Sequence, residues 1–371
     1  MAFDARDGSV KWERAAGYSV TGTMVNAGSL VVVGGDDAVI RAFDRSTGDE
    51  RWCAVGGPTV AAAGDLVIAA HQGASDVTAY DAATGTKRWR AGLAPLGYEL
   101  SGFEDAVVAD ASGVYIASSD PAAKPHLAAF DLDGTMRWSQ DGMGCDGAPS
   151  AEPPQPPPPG PTVTGPRACV GGGTPSLVLG GGMLISADVN AHELLAFDVV
   201  TGAVAWRTPF GADSLTPVGA DTKALVAAEY GRSGADLVAF DLRDGHELWT
   251  APSTGFASVV LDGSVVTVDQ SNPETYKLIS LDTATGSPRW TLSEPGRTYR
   301  PGVAADLMPL PTGSEGLTAY EGSSGSVRWS VSHPNPAQGG ALPDSSGYRG
   351  FAGDASVVIA VIVAVPHNEE D

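Results

Sequence analysis

The chain is poor in much of what catalysis, metal binding or membrane insertion would draw on. Its 371 residues include three cysteines (Cys53, Cys145 and Cys169), none adjacent to another and none at a zinc-ligand spacing, and six scattered histidines. The longest apolar run, at 357–365, has nine residues against the ~20 of a membrane helix, and its β-branched content reads as a buried strand. The first ten residues, MAFDARDGSV, lack the basic and apolar regions of a secretory leader. Basic residues are scarce as well: 22 Lys and Arg stand against 44 Asp and Glu, a net charge of −22 that excludes nucleic acid and anionic lipid as expected partners. No Gly-x-Ser-x-Gly elbow appears, and the glycine runs at 171–173 and 180–182 lack the Lys-Ser/Thr of a phosphate loop.

Glycine and proline are plentiful, at 48 and 27, which suits many short strands and turns. The dominant signal is an internal repeat. An apolar-Asp/Glu pair, a turn ending in Gly and a Trp four residues later occur as AFDARDGSVKW, AFDRSTGDERW, AYDAATGTKRW, AFDLDGTMRW, AFDVVTGAVAW, AFDLRDGHELW, SLDTATGSPRW and AYEGSSGSVRW. The repeats use all eight tryptophans: Trp12, Trp52, Trp89, Trp138, Trp206, Trp249, Trp290 and Trp329. The acid can cap the reversal, the glycine can take φ > 0, and the indole can fill the gap between neighbouring sheets. Two further strand-like runs precede each motif, for example FASVVLDG and SVVTVD. Four short strands per unit make a propeller blade, and the Trp-to-Trp spacings of 37–49 residues, with one of 68, agree with that unit.

The expected fold is therefore all-β, an eight-bladed β-propeller spanning 1–371 as one domain. The chain starts with the third and fourth strands of a unit and ends with a first and second, so N- and C-terminal strands are expected to share one blade and close the ring. A Pro/Gly-rich insertion at 141–175, containing AEPPQPPPPGP, interrupts the repeats and reads as polyproline II. It is either a lid or partner-docking arm or a tolerated surface insertion. Cys145 and Cys169 flank it, either as a disulfide stapling its base or as two separate thiols.

The A-[FY]-D-x-x-[TD]-G-x-x-x-W pattern resembles the tryptophan-docking repeat of the pyrroloquinoline-quinone (PQQ)-like propellers. That family includes quinoprotein alcohol dehydrogenases, the propeller lipoprotein of the outer-membrane barrel-assembly machinery, and sensor propellers of some actinobacterial kinases. The resemblance implies the fold and leaves function open. It implies an extracytoplasmic or secreted location, with a cytoplasmic one as the alternative. PQQ with calcium is disfavoured: the adjacent cysteines and the free Trp platform of the quinoproteins have no counterpart here, and none of the five Asn falls in a ligand constellation.

Motif Asp, Gly and Trp recur in every blade and read as scaffold. Glu321, the one acid that departs from Asp, reads as drift. Binding is expected on the face carrying the connections between blades, where loops vary freely. Candidates there are Tyr98, Glu99, Glu104, Asp105, Tyr299, Arg300, Tyr348 and Arg349, with Tyr18 beside them. Arginine among aromatics could hold an anion; inter-blade packing and surface ion pairs are the plainer alternative. His126, His192 and His246, at strand edges or turns, read as solvated. No catalytic residue and no metal ligand is assigned, and a monomer is expected. The sequence reads best as a non-catalytic binding, scaffold or sensor propeller engaging a protein, peptide or small ligand. The alternatives are an enzyme using the central funnel, such as a divergent PQQ-dependent dehydrogenase, or the sensor part of a larger receptor.

Overall fold

Each repeat folds as a small antiparallel sheet, and eight such sheets form a ring. The computed structural model describes residues 1–14, 23–35, 37–70, 76–93, 99–100, 107–119, 125–141, 177–188, 192–212, 214–231, 234–253, 258–261, 263–269, 276–294, 302–312, 316–332 and 348–362. Strands β1 (Ala2–Asp4) and β2 (Val10–Trp12) begin the chain. Blade 2 holds β3 (Met24–Ala27), β4 (Leu30–Gly34), β5 (Val39–Asp44) and β6 (Glu50–Val55). Blade 3 holds β7 (Thr59–Ala63), β8 (Leu66–Ala70), β9 (Asp76–Asp81) and β10 (Lys87–Gly92). In blade 4 the innermost strand is split into β11 (Glu99–Leu100) and β12 (Val107–Asp110), followed by β13 (Gly113–Ser119), β14 (Pro125–Phe130) and β15 (Met136–Asp141). Blade 5 holds β16 (Val178–Gly180), β17 (Met183–Asp188), β18 (Glu193–Asp198) and β19 (Val204–Pro209). Blade 6 holds β20 (Ser214–Ala220), β21 (Ala224–Gly231), β22 (Gly234–Asp241) and β23 (Glu247–Ser253). Blade 7 holds β24 (Ser258–Leu261), β25 (Ser264–Asp269), β26 (Tyr276–Asp282) and β27 (Pro288–Glu294). Blade 8 holds β28 (Leu307–Thr312), β29 (Gly316–Glu321) and β30 (Val327–Ser332). The last strands, β31 (Tyr348–Gly353) and β32 (Val357–Ile362), pair with the first two in the order β2-β1-β32-β31, which makes blade 1.

Second strands such as β4 (LVVVG) and β8 (LVIAA) are buried at every residue. Both of their faces lie against other blades, so they read as continuous apolar runs rather than alternating ones. Eight apolar clusters result, one at each blade junction, from Ala2, Val31 and Ile359 between blades 1 and 2 round to Phe3, Leu317 and Trp329 between blades 8 and 1.

The tryptophans fasten these junctions. Each indole N–H donates to a backbone carbonyl in the next blade's turn, at 2.8–3.1 Å: Trp12 to Arg45, Trp52 to Ala82, Trp89 to Leu132, Trp138 to Val199, Trp206 to Leu242, Trp249 to Thr283, Trp290 to Gly322 and Trp329 to Ala5. Each ring lies flat over the turn's glycine, whose φ is +68° to +87°. The glycine is required twice over, by its left-handed backbone and by the absence of a Cβ that would enter the indole. Blade 1 meets blade 2 with two more bonds: Asn26 Nδ2 donates to the Gly353 carbonyl at 2.7 Å, and Arg45 pairs with Asp354 at 2.7 Å.

Blade 8 departs from the four-strand expectation. Its innermost strand is reduced to a bridge between Ala304 and Leu307. The cause is in β28: the Gly302 N–H donates to the Pro309 carbonyl at 3.0 Å, so Pro309 faces the inner edge, and Pro311 follows it with the same orientation. Neither proline can return a ladder bond.

Two stability outcomes follow. Gly202→Ala would set a Cβ 2.6 Å from Trp138 Cδ2 at φ +69°, and urea unfolding should show a loss of roughly 2–4 kcal/mol. Ala305 holds a left-handed φ of +53° in the turn between first and second strands, where blades 2, 3 and 5 carry left-handed glycines, so Ala305→Gly should raise stability by roughly 0.5 kcal/mol in the same assay.

Candidate functional site

The ring has two unlike faces. The Asp-to-Gly turns, joining third to fourth strands, lie on one. The connections between blades and between second and third strands leave from the other, which carries the sequence candidates. Of these, Glu99 opens β11 and pairs with Ser119, while Tyr348 opens β31 and Arg349 falls at the register shift before Gly350. Their backbones stand at the loop-face ends of inner strands, in blades 4 and 1, so the ring separates them by three blade steps. Tyr18, Tyr98, Glu104, Asp105, Tyr299 and Arg300 lie outside the described residues, as do Cys145, Cys169 and 142–175 of the insertion. Cys53 is exposed on outer strand β6 and unpaired.

Among the described residues, the loop face carries a polar cluster at the junction of blades 5 and 6. His192 takes a left-handed φ of +52°, and its Nδ1 lies 2.9 Å from the Ala212 carbonyl, so that nitrogen carries the proton. Its ring packs on Phe210 at 5.4 Å between centroids, and the Phe210 N–H donates to the His192 carbonyl. The Ala212 N–H donates to Glu229 Oε1 at 3.3 Å. These bonds fix the start of the 5-to-6 connection. His192 is exposed, as the sequence reading expects, though no motif marks its link to residue 212. His126 departs from that reading: it is buried, at 1% exposure, at the start of β14.

The turn face is built differently. In all eight blades the outermost strand carries a β-bulge at the residue just before the Trp, as where Phe43 pairs with Glu50 but Ala42 with Trp52. A bulge re-aims its side chain. In six blades that residue is basic and reaches the motif acid at 2.5–3.1 Å: Lys11 to Asp4, Arg51 to Asp44, Arg88 to Asp81, Arg137 to Asp131, Arg289 to Asp282 and Arg328 to Glu321. Blade 6 has Leu248 there, and its Asp241 takes Arg243 from within the turn at 2.6 Å. The acids divide their oxygens. In Asp44, Asp81 and Asp282, Oδ1 accepts the turn's backbone N–H groups and Oδ2 accepts the arginine. Glu321, one methylene longer, keeps the arginine but accepts only the Ser324 hydroxyl from the turn. The Arg6 hydrogen bond, then Lys11, holds Asp4 well below the usual carboxylate range. Asp44 is likewise held low by the Ser46 hydroxyl and then Arg51, and Asp241 is lowered to about 2 by Arg243.

Asp241, Asp244 and His246 place three ligand atoms within 4.8 Å of one another on this face. Arg243 already bonds both oxygens of Asp241, at 3.0 and 2.6 Å, and His246 Nδ1 lies 2.6 Å from Asp244 Oδ1.

The model of the PQQ_2 family, described as outer membrane protein assembly factor BamB, matches the chain over residues 1–95, 54–164, 123–270 and 233–360. No curated protein matches it. Among solved structures, BamB from Moraxella catarrhalis superposes with a TM-score of 0.54 at 17% identity, over 85% of this chain and 87% of that one. The computationally designed Ika8 protein gives 0.57 at 14% identity, over 85% and 87%. Quinohemoprotein alcohol dehydrogenase from Comamonas testosteroni gives 0.55 at 11% identity, over 100% of this chain and 77% of that one. At these identities the superpositions show the fold alone. With family-model matches running from residue 1 to residue 360 over eight Trp-fastened blades, the chain belongs to the PQQ_2 family of BamB-type propellers.

Proposed function

We propose that this chain is a non-catalytic interaction propeller that engages a protein partner through its loop face, in an extracytoplasmic setting. The observation that carries the reading is the use of the repeat residues. All eight tryptophans bond to the neighbouring blade, and seven of the eight motif acids hold a cation of the same chain. The recurring residues are thereby spent on holding the ring, which leaves the loop face as the variable surface. The family's description as an outer membrane assembly factor supports a protein as the partner and a location outside the cytoplasm.

The use of the tryptophans supports a protein rather than a quinone as the ligand. Stacking a quinone would need an indole free of the inter-blade bonds, and every indole is committed.

Two measurements check this. After incubation with PQQ and Ca²⁺ and then desalting, the protein should retain no quinone absorbance and should not reduce a dye with an alcohol as donor; retention with turnover would overturn the reading. A photo-crosslinking residue at position 99 or 348 should capture one protein in the native extract, while the same residue at position 327, exposed beside the Glu321-to-Gly325 turn on the opposite face, should not. Equal labelling at all three positions would count against the loop face.

A further inference from the structure

Blade 1, which closes the ring, is held on its two sides by different means. Toward blade 8 the contact is apolar. Phe3 stacks on Trp329 at 5.9 Å between centroids, and Leu307 and Leu317 join them, all buried. One hydrogen bond between described residues crosses there, from the Trp329 indole to the Ala5 carbonyl at 3.0 Å. Toward blade 2 the buried cluster consists of Ala2, Val31, Val33, Ala352, Val357 and Ile359, with no aromatic ring and no leucine among them. Trp12 is only half-buried, where Trp329 is 6% exposed. Its strand, β2, has three residues against six or seven in every other outermost strand.

Charge makes up the difference. Arg45 pairs with Asp354 across this junction at 2.7 Å, and Arg14 with Asp49 at 3.1 Å. Among the described residues no ion pair crosses any other junction: every other Lys or Arg that meets a carboxylate does so within its own blade. Arg45 depends on its carboxylate. The side chain is 18% exposed, Nη2 donates to the Gly28 carbonyl, and Nε is buried with no partner among the described residues. A cation so enclosed is stable only while its counter-ion is charged and close. Asp354 divides its oxygens accordingly: Oδ1 accepts the N–H groups of Ser356 and Val357 at 2.8 and 3.1 Å, and Oδ2 faces the arginine.

We propose that the junction of blades 1 and 2 is an electrostatic latch, the seam at which ionic strength sets how readily the ring opens. Salt screens partly exposed pairs, over a Debye length of about 30 Å at 0.01 M and about 3 Å at 1 M, and leaves apolar contacts intact. Raising the salt therefore frees blade 1 from blade 2 while it stays on blade 8. The latch acts without any partner on the loop face.

Two alanines of blade 1 report on its two sides. Ala2 and Ala360 lie on the paired strands β1 and β32, both at 0% exposure, Ala2 in the cluster shared with blade 2 and Ala360 in the one shared with blade 8. In Ala2→Cys and Ala360→Cys the new thiol reacts with iodoacetamide only when its junction opens, and peptide mass spectrometry separates it from the native cysteines. From about 0.01 M to about 1 M NaCl, labelling of Ala2→Cys should rise about fivefold and that of Ala360→Cys by less than about twofold. Adding Asp354→Asn, which keeps the turn-capping oxygen and removes the charge, should make Ala2→Cys fast already in low salt and remove most of its salt response. Ala352→Cys, also on the blade 2 side, covers the case in which Ala2→Cys does not fold. The proposal is overturned if the two sides respond alike to salt, as they would if labelling required global unfolding. It is overturned as well if the blade 8 side responds more, if the blade 2 side is labelled no faster in high salt, or if Asp354→Asn keeps the full response.

Discussion

The contact on which the ring rests is an indole laid over the next blade's turn. It joins three demands at one point: a large apolar area to bury, an N–H that must keep a partner, and a turn that exposes a carbonyl while leaving room above its glycine. Met these together and two blades are set at a fixed angle; repeat them eight times and the ring closes on itself. None of the blades has a core of its own to speak of. The apolar clusters lie between sheets, so each sheet is half of two cores, and a blade's stability belongs to its neighbours as much as to itself.

The turn-face ion pairs add a second layer to this joint. Most of them stand at least partly in solvent, and such pairs contribute little each. Their value lies in geometry: the bulge places a cation beside the acid that caps the turn, and the capped turn presents the carbonyl that receives the indole. Arg137 shows the linkage in one residue, bonding Asp131 in its own blade and the Val199 carbonyl in the next, the same carbonyl that Trp138 reaches.

Much of this was legible in the sequence, because the Gly-to-Trp offset is local and invariant. The eight units, the shared blade of the two chain ends and the scaffold character of the motif residues all follow from reading that offset and the strand-like runs before it. The bulge cation was legible and overlooked: a basic residue precedes Trp in VKW, ERW, KRW, MRW, PRW and VRW, but it sits outside the motif as first drawn. The pair of prolines in LMPLP likewise signals a strand that cannot ladder on one edge. Other features have no local signal. His126 is buried by a neighbouring strand, and His192 is held by residue 212, twenty positions away. The loop-face candidates were chosen by residue type at strand starts. For Glu99 and for Tyr348 with Arg349, the ring places two strand starts on the same face but not side by side.

The sharing of blade 1 by the two chain ends sets the order in which the molecule can be made. Ala2 pairs with Ile359, and Asp4 with Val357, so the longest-range pairing in the ring cannot form until β32 has left the ribosome. Until then blade 2 and blade 8 each wait with an uncovered side, and β1 has an open edge. During synthesis the nascent chain is an open crescent, held by its internal junctions and vulnerable at its two tips, and the emergence of β31 and β32 is the event that lets it become a circle.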